Sequence, residues 1–132
     1  GVLSLTLSLA CPPGYEPQPR FVEFARKKGA KVLVTNDPAE AVRDADVINT
    51  DVWASMGQEA EHDGRLKVFA PYQVNAKLVS QAAPGCIVMH CLPAHRGEEI
   101  TDEVVDGPCS VVLDEAENKM HLHQALLERL LG

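Results

Sequence analysis

A short segment directly after an apolar, strand-like run combines an acid, a hydroxyl and a glycine. Asp51 ends the run 47–50, and Ser55, Met56 and Gly57 follow within six residues. A carboxylate at a strand end can pair with the ammonium group of a ligand, and backbone N–H groups in a tight glycine-containing turn can point at an anion. The segment therefore suits the α-amino and α-carboxylate groups of an amino acid, although turn capping also explains Asp51 taken alone.

A second candidate segment is centred on Cys91, near the end of the predicted strand 86–93. A neighbouring cysteine and histidine also fit a nucleophile or a zinc site. However, His90 and Cys91 would point to opposite faces of a strand, and zinc would need two more ligands. We therefore interpret Cys91 as a thiol close to a substrate amine. Pro93 restricts Leu92 towards extended geometry, which can present the Leu92 carbonyl to a ligand.

The third candidate segment is the acid-rich stretch 114–121, which contains Lys119. One interpretation is a solvated helix start, because acidic side chains are favoured near a helix N-terminus. The other places Lys119 at a pocket, where it donates to a phosphate or carbonyl oxygen. His121 and His123 lie two residues apart on a predicted helix and do not face each other, so we predict no metal site. No G-x-G-x-x-G or P-loop motif occurs, and no cofactor is predicted.

The overall charge and the cysteine pattern restrict the class of protein. The 132 residues carry a net charge of −7 with a pI near 5.1, which argues against nucleic acid as the main partner. No apolar run approaches the roughly 18 residues of a membrane span, so we predict no membrane partner. The four cysteines have neither C-x-x-C spacing nor a dense framework, which favours a reduced, cytoplasmic chain.

Strand and helix signals alternate along the chain. Strands are predicted over 2–10, 30–37, 45–51 and 86–93, with a fifth beginning at 110, and helices over 20–28, from 38, over 75–83, over 101–107 and up to Leu131. This alternation predicts an α/β fold of parallel β-α-β units. Ligands of such sheets bind beyond the carboxyl ends of the strands. That rule selects the three segments Asp51–Gln58, His90–Gly97 and Asp114–Lys119.

Six segments resemble the ornithine carbamoyltransferase family, in its order. They are PPGYEP, NDPAEAV, ADVINTDVWASMGQE, YQVN, MHCLPAHRGEEITDEV and DEAEN. The resemblance is to the C-terminal, ornithine-binding half of the family and runs from Val2 to the final helix. It implies one three-layer α/β/α, Rossmann-like domain over residues 1–132 with a mainly parallel sheet. The family transfers a carbamoyl group from carbamoyl phosphate to the δ-amine of L-ornithine, giving citrulline and phosphate, without a metal or organic cofactor.

The resemblance also implies roles for particular residues. Asp51 and Ser55 are expected to bind the α-amino group of ornithine, and Met56 the α-carboxylate through its backbone. Cys91 and Leu92 are expected near the reacting δ-amine and the carbamoyl group, which makes Cys91 and Asp51 the catalytic candidates. The amine must be neutral to attack, so the site has to favour its deprotonated form.

One departure from the family pattern concerns Lys119, which stands where the family has Arg. Arg offers a planar fork of donors and Lys a point charge, so we expect weaker binding of carbamoyl phosphate.

A larger departure is the family's carbamoyl-phosphate-binding half, with its Ser-x-Arg-Thr motif, which does not occur in these 132 residues. The family's first strand of the ornithine domain is also missing, and the resemblance places it between the strands matching 3–9 and 46–50. We expect a gap there with unpaired backbone groups. The chain is then expected to supply the ornithine side only and to be inactive alone.

The alternative is a non-catalytic, stand-alone domain that binds an amino acid or another protein. The last helix has a wide apolar face, formed by Leu122, Leu126, Leu127, Leu130 and Leu131. Either this face or the open sheet would then serve a homo-oligomer.

Overall fold

The computed structural model describes residues 5–54 and 62–132. Four short strands and six helices alternate along these residues. The strands are β1 (Thr6–Ala10), β2 (Lys31–Thr35), β3 (Val47–Thr50) and β4 (Ile87–His90), and the helices are α1 (Pro19–Lys27), α2 (Pro38–Val42), α3 (His62–Phe69), α4 (Ala76–Val79), α5 (Asp102–Val105) and α6 (Val112–Leu131). A short 3-10 helix, Ala70–Tyr72, follows α3.

Two predicted helix starts are confirmed where the sequence has a capping residue, although α4 ends at Val79 and not at 83. Asp37 Oδ1 accepts a hydrogen bond from the Ala39 N–H at 2.9 Å, and Pro38 occupies the first position of α2. Asn75 Oδ1 accepts from the Leu78 N–H at 3.0 Å and so caps α4. These side chains satisfy backbone donors that a helix start leaves unpaired.

The strands form two separate parallel pairs in the described part of the chain. In one pair Leu7 lies opposite Val32, and in the other Thr50 lies opposite His90. β1 and β3 are not paired with each other. A cavity of about 390 Å³, lined by residues of both strands including Ser8 and Ile48, lies between the pairs. The predicted gap in the sheet is therefore present.

A single apolar core packs against the β3–β4 pair. Its members are Val42, Ile48, Val74, Leu78, Cys86, Val88, Ile100, Val104, Val105 and Val112. Val88 in β4 and Ile100 in the segment before α5 have no exposed surface. The segment before α5 is joined to the rest of the fold by backbone hydrogen bonds from Val74 N to Glu99 O (2.8 Å) and from Thr101 N to Val74 O (3.1 Å). The residues that follow β4 are thus attached to a rigid base.

The predicted fifth strand is wrong. Only Ser110 forms a bridge, to Val88, and α6 begins at Val112. The apolar run 111–113 resembles a strand, but Asp114 and Glu115 fall in the first turn of α6, where the helix dipole favours acids. No helix is predicted between 51 and 75, whereas the structure has α3 there, from His62 to Phe69.

The apolar face of the last helix is largely exposed, as the sequence predicts. The exposed fraction is 48% for Leu126 and rises to 82% for Leu131. Among the described residues, no helix is both long and apolar enough to cross a lipid bilayer.

Ile100 is expected to be a major contributor to stability. Replacing this fully buried side chain by Ala should lower the free energy of unfolding by about 2–5 kcal/mol, because a cavity replaces its packing contacts. Leu130→Ala, at a position that is 77% exposed, should change it by less than about 0.5 kcal/mol. Urea denaturation of both variants measures the difference, and equal effects would contradict the assignment of the core.

Candidate functional site

The parallel pairing of β3 with β4 brings two candidate residues together. Thr50 lies opposite His90, so the residues that follow, Asp51 and Cys91, leave the same edge of the sheet side by side. Cys91 Sγ donates a hydrogen bond to Asp51 Oδ1 at 2.9 Å. The same carboxylate oxygen accepts from the Val52 N–H at 2.7 Å, which fixes its orientation. The structure therefore places an acid and a thiol at the carboxyl edge, where ligands of parallel sheets bind.

Lys119 reaches this edge from α6. Its Nζ donates to the Cys91 carbonyl oxygen at 2.8 Å and forms an ion pair with Glu115 Oε1 at 3.1 Å, one helical turn away. The segment 114–119 is thus part of a helix and not a loop beyond a fifth strand. Lys119 nevertheless reaches Cys91, because α6 packs beside β4.

The environment of Cys91 keeps its thiol protonated. The hydrogen bond to Asp51, partial burial and the negative charge of Asp51 raise the pKa of the Cys91 thiol, and the charge of Lys119 opposes this only in part. A thiolate is the attacking form of cysteine. A raised pKa therefore suits a polar neighbour of a substrate amine better than a nucleophile.

Leu92 does not have the extended backbone that the following proline predicts. Its φ is +53°, in the left-handed region, and the Leu92–Pro93 peptide bond is cis. A hydrogen bond of 2.9 Å from the Leu92 N–H to His90 Nδ1 turns the chain back towards β4. This local contact overrides the usual preference of a residue before proline.

Ser55 and Met56 lie outside the described residues, and Trp53, just before them, contacts α3. Trp53 packs against Phe69, with ring centroids 5.9 Å apart, and its carbonyl oxygen accepts from Arg65 Nη1 at 3.0 Å. Trp53 therefore acts in packing, which the sequence favours over a role in binding. It fastens the residues after Asp51 to α3.

The gap in the sheet adjoins the candidate site. The cavity between β1 and β3 is lined at one end by Asp51, Trp53, Arg65 and Tyr72. Asp51, which contacts Cys91, thus also lines the gap. Whatever occupies the gap would lie next to the candidate site.

Glu99 is a residue of the site that its sequence context does not mark. This side chain is fully buried, and its Oε1 lies 2.9 Å from His90 Nε2 and accepts from the His95 N–H at 2.6 Å. The signal was weak because Glu98 and Glu99 read as ordinary surface acids beside Arg96. His95, Glu98 and Glu99 offer ligand atoms within 4.8 Å of one another, but Glu99 Oε1 already has two protein partners.

Comparisons with known proteins agree with this architecture. The profile of the family described as aspartate/ornithine carbamoyltransferase, Asp/Orn binding domain, matches residues 2–130. The chain therefore belongs to this carbamoyltransferase family. Within it, an ornithine carbamoyltransferase of Desulfotalea psychrophila is 59% identical over 98% of this chain and 43% of its own length. The chain spans less than half the length of such relatives.

Solved structures give the same result. The ornithine carbamoyltransferase of Pyrococcus furiosus is 53% identical with a TM-score of 0.82, over 91% of this chain and 40% of that chain. The anabolic ornithine carbamoyltransferase of Campylobacter jejuni is 38% identical with a TM-score of 0.87, over 95% and 43% respectively. The fold is therefore the Rossmann-like α/β fold of these enzymes.

Asp51→Asn should make the Cys91 thiol more reactive. The variant removes the negative charge that raises the pKa of Cys91, so the pKa should fall and the thiolate fraction should rise at about pH 8. Alkylation of Cys91 by iodoacetamide, followed by peptide mass spectrometry, should be faster. Asp46→Asn is a matched control, because Asp46 is exposed and precedes the other end of β3. Equal Cys91 rates in the wild type and the Asp51 variant would contradict the proposed contact.

Proposed function

We propose that this chain is the ornithine-binding side of an ornithine carbamoyltransferase. The whole reaction would transfer the carbamoyl group of carbamoyl phosphate to the δ-amine of L-ornithine, giving citrulline and phosphate. The observation that supports this most directly is the 2.9 Å contact between Cys91 and Asp51 at the carboxyl edge of the sheet. The family match over residues 2–130 supports an amino-acid-binding role for that edge.

The proposed roles follow from the chemistry of each group. The Asp51 carboxylate would bind the α-ammonium group of ornithine with Ser55, and Met56 would bind the α-carboxylate through its backbone. The protonated Cys91 thiol and the Leu92 carbonyl would lie near the δ-amine. Neither group supplies a negative charge that would favour the ammonium form of that amine, so the amine can remain the neutral nucleophile that the transfer requires.

Lys119 would act at the carbamoyl phosphate side of the site. In the structure it donates to the Cys91 carbonyl oxygen. A lysine gives a single point charge where the family's arginine would give a planar fork. Binding of carbamoyl phosphate would therefore be weaker than with arginine at this position.

Most of the rate acceleration would come from positioning and from charge stabilisation around the leaving phosphate. In the family that phosphate is also bound by the Ser-x-Arg-Thr motif, which does not occur in these 132 residues. We accordingly propose a single ornithine-binding domain over residues 1–132 that is inactive alone. All four cysteines are free thiols, which supports a cytoplasmic setting.

A second candidate function is a protein-interaction domain without catalysis. Two features favour it: the exposed leucines of α6, from Leu122 to Leu131, and the edges of β1 and β3 that have no strand partner among the described residues. Contiguous exposed apolar surface of this kind is typical of contact sites. A homo-oligomer through either surface would be the simplest form.

Calorimetry with L-ornithine separates these functions. We expect weak binding, with a dissociation constant of about 1 mM or above and therefore a binding free energy no more favourable than about −4 kcal/mol, because only part of the pocket is supplied. Asp51→Asn should abolish the heat of binding, since the α-ammonium group loses its counter-charge. Asp46→Asn should leave it unchanged. If the wild-type chain gives no heat at millimolar ornithine, the interaction function is favoured.

The chain alone should not make citrulline. Incubation with carbamoyl phosphate and ornithine is expected to give no citrulline above the rate without protein, because the phosphate-binding groups are not supplied. A colorimetric or mass-spectrometric citrulline assay measures this. Clear turnover, lost in Asp51→Asn, would show instead that the chain is catalytically sufficient.

A further inference from the structure

The two candidate groups that follow β4 lie on a connection that we call the thiol loop, residues 91–95. A pair of buried side chains joins the two ends of this loop. His90 precedes it and Glu99 lies just beyond it, and neither has exposed surface. His90 Nε2 lies 2.9 Å from Glu99 Oε1. Burying two ionisable groups is costly unless they bond to each other and to further partners.

Each member of the pair also binds one backbone N–H group of the loop. His90 Nδ1 accepts from Leu92 N at 2.9 Å, and Glu99 Oε1 accepts from His95 N at 2.6 Å. A ring nitrogen that accepts carries no hydrogen, so the hydrogen of the His90 ring is on Nε2 and is donated to Glu99. Both ring nitrogens of His90 and Oε1 of Glu99 are thus used within the pair or in bonds to the loop. It offers no proton to Cys91, whose thiol bonds to Asp51 instead.

Both ends of the pair are attached to the rigid core. His90 is the last residue of β4, two residues after the fully buried Val88. Glu99 precedes the fully buried Ile100, and its carbonyl oxygen accepts from Val74 N at 2.8 Å. The pair therefore connects two fixed points across a loop that has few backbone bonds of its own to hold it.

The backbone of Leu92 requires such support. Its φ of +53° is unfavourable for a residue with a branched side chain. Conformations of this kind persist only where surrounding contacts enforce them, and they cluster at functional sites. The hydrogen bond from Leu92 N to His90 Nδ1 acts directly on this residue.

We propose that His90 and Glu99 are positioning residues that set the place of the Cys91 thiol and the Leu92 carbonyl. They act through the backbone of the thiol loop and not through their charge or by proton transfer. The consequence for ornithine rests on the proposed function. The geometric statement does not, because the place of the thiol can be measured without any substrate.

Two substitutions of Glu99 separate positioning from charge. Glu99→Ala removes the acceptor for both His90 and His95. Glu99→Gln removes the charge but keeps an oxygen that can accept both hydrogen bonds, and its amide nitrogen can replace Oε2, which has no hydrogen-bond partner among the described residues. Glu103→Ala is a matched control, because Glu103 is an exposed acid on the neighbouring helix α5.

The test is the pH profile of Cys91 alkylation by iodoacetamide, followed by peptide mass spectrometry. In Glu99→Ala the thiol should lose its contact with Asp51. The midpoint of the pH profile of Cys91 alkylation should then move to lower pH, and alkylation should be several-fold faster at pH values below the wild-type midpoint. Glu99→Gln and Glu103→Ala should follow the wild-type profile. Cys86, buried in the core, reports global unfolding in the same sample and should be unchanged.

Three results would overturn the proposal. The first is an unchanged Cys91 profile in Glu99→Ala, and the second is a Glu99→Gln profile equal to that of Glu99→Ala. The third is an increase in the alkylation rate of Cys86 that matches the increase at Cys91. If Glu99→Ala does not fold, hydrogen exchange of the unmodified chain decides. The amides of Leu92 and His95 should both be protected, and exchange of both at the rate of an unstructured peptide would refute the proposal. These readouts use no ornithine, so they stay valid if ornithine binding fails.

Discussion

The site depends on the register of one strand pair. Because Thr50 lies opposite His90 in parallel strands, the next residue of each strand leaves the sheet at the same level. A shift by one residue would turn every side chain of β4 to the other face, and the Cys91 thiol would no longer meet the Asp51 carboxylate. The register is itself fixed by burial, since Ile48 and Val88 are opposite each other in the core.

Around that contact, the structure uses buried polar groups to hold exposed ones. Asp51 is exposed and Cys91 is half-buried, whereas the His90–Glu99 pair behind the loop is fully buried. Lys119 adds a third support from α6 through the Cys91 carbonyl oxygen. An accessible group cannot be placed by packing, because solvent surrounds part of it. The backbone that carries such a group must therefore fix its position. This explains why several hydrogen bonds hold the backbone around Cys91.

Local signals made much of this fold predictable. Asp37 and Asn75 mark helix starts through capping, and the alternation of strands and helices gives the parallel pairing. The fifth strand was wrong because the apolar run at 111–113 fits a strand or a helix start equally well, and only tertiary contacts decide. Likewise Asp51 and Cys91 stand out at strand ends. Glu99, the partner of His90, could not be identified from the sequence. The two residues meet only because the loop between them folds back, and no local sequence pattern encodes that contact.

Beside the 390 Å³ cavity, the edges of β1 and β3 have no strand partner in the part of the chain that the structure describes. The free energy of unfolding of this chain therefore depends on whatever else is present to pair with them. Any species that completes the sheet binds the folded chain and not the unfolded one. Its concentration therefore enters the folding equilibrium directly, and tighter or more abundant occupants shift that equilibrium further towards the native state. A melting temperature measured for this chain is consequently a property of the mixture in which it is measured.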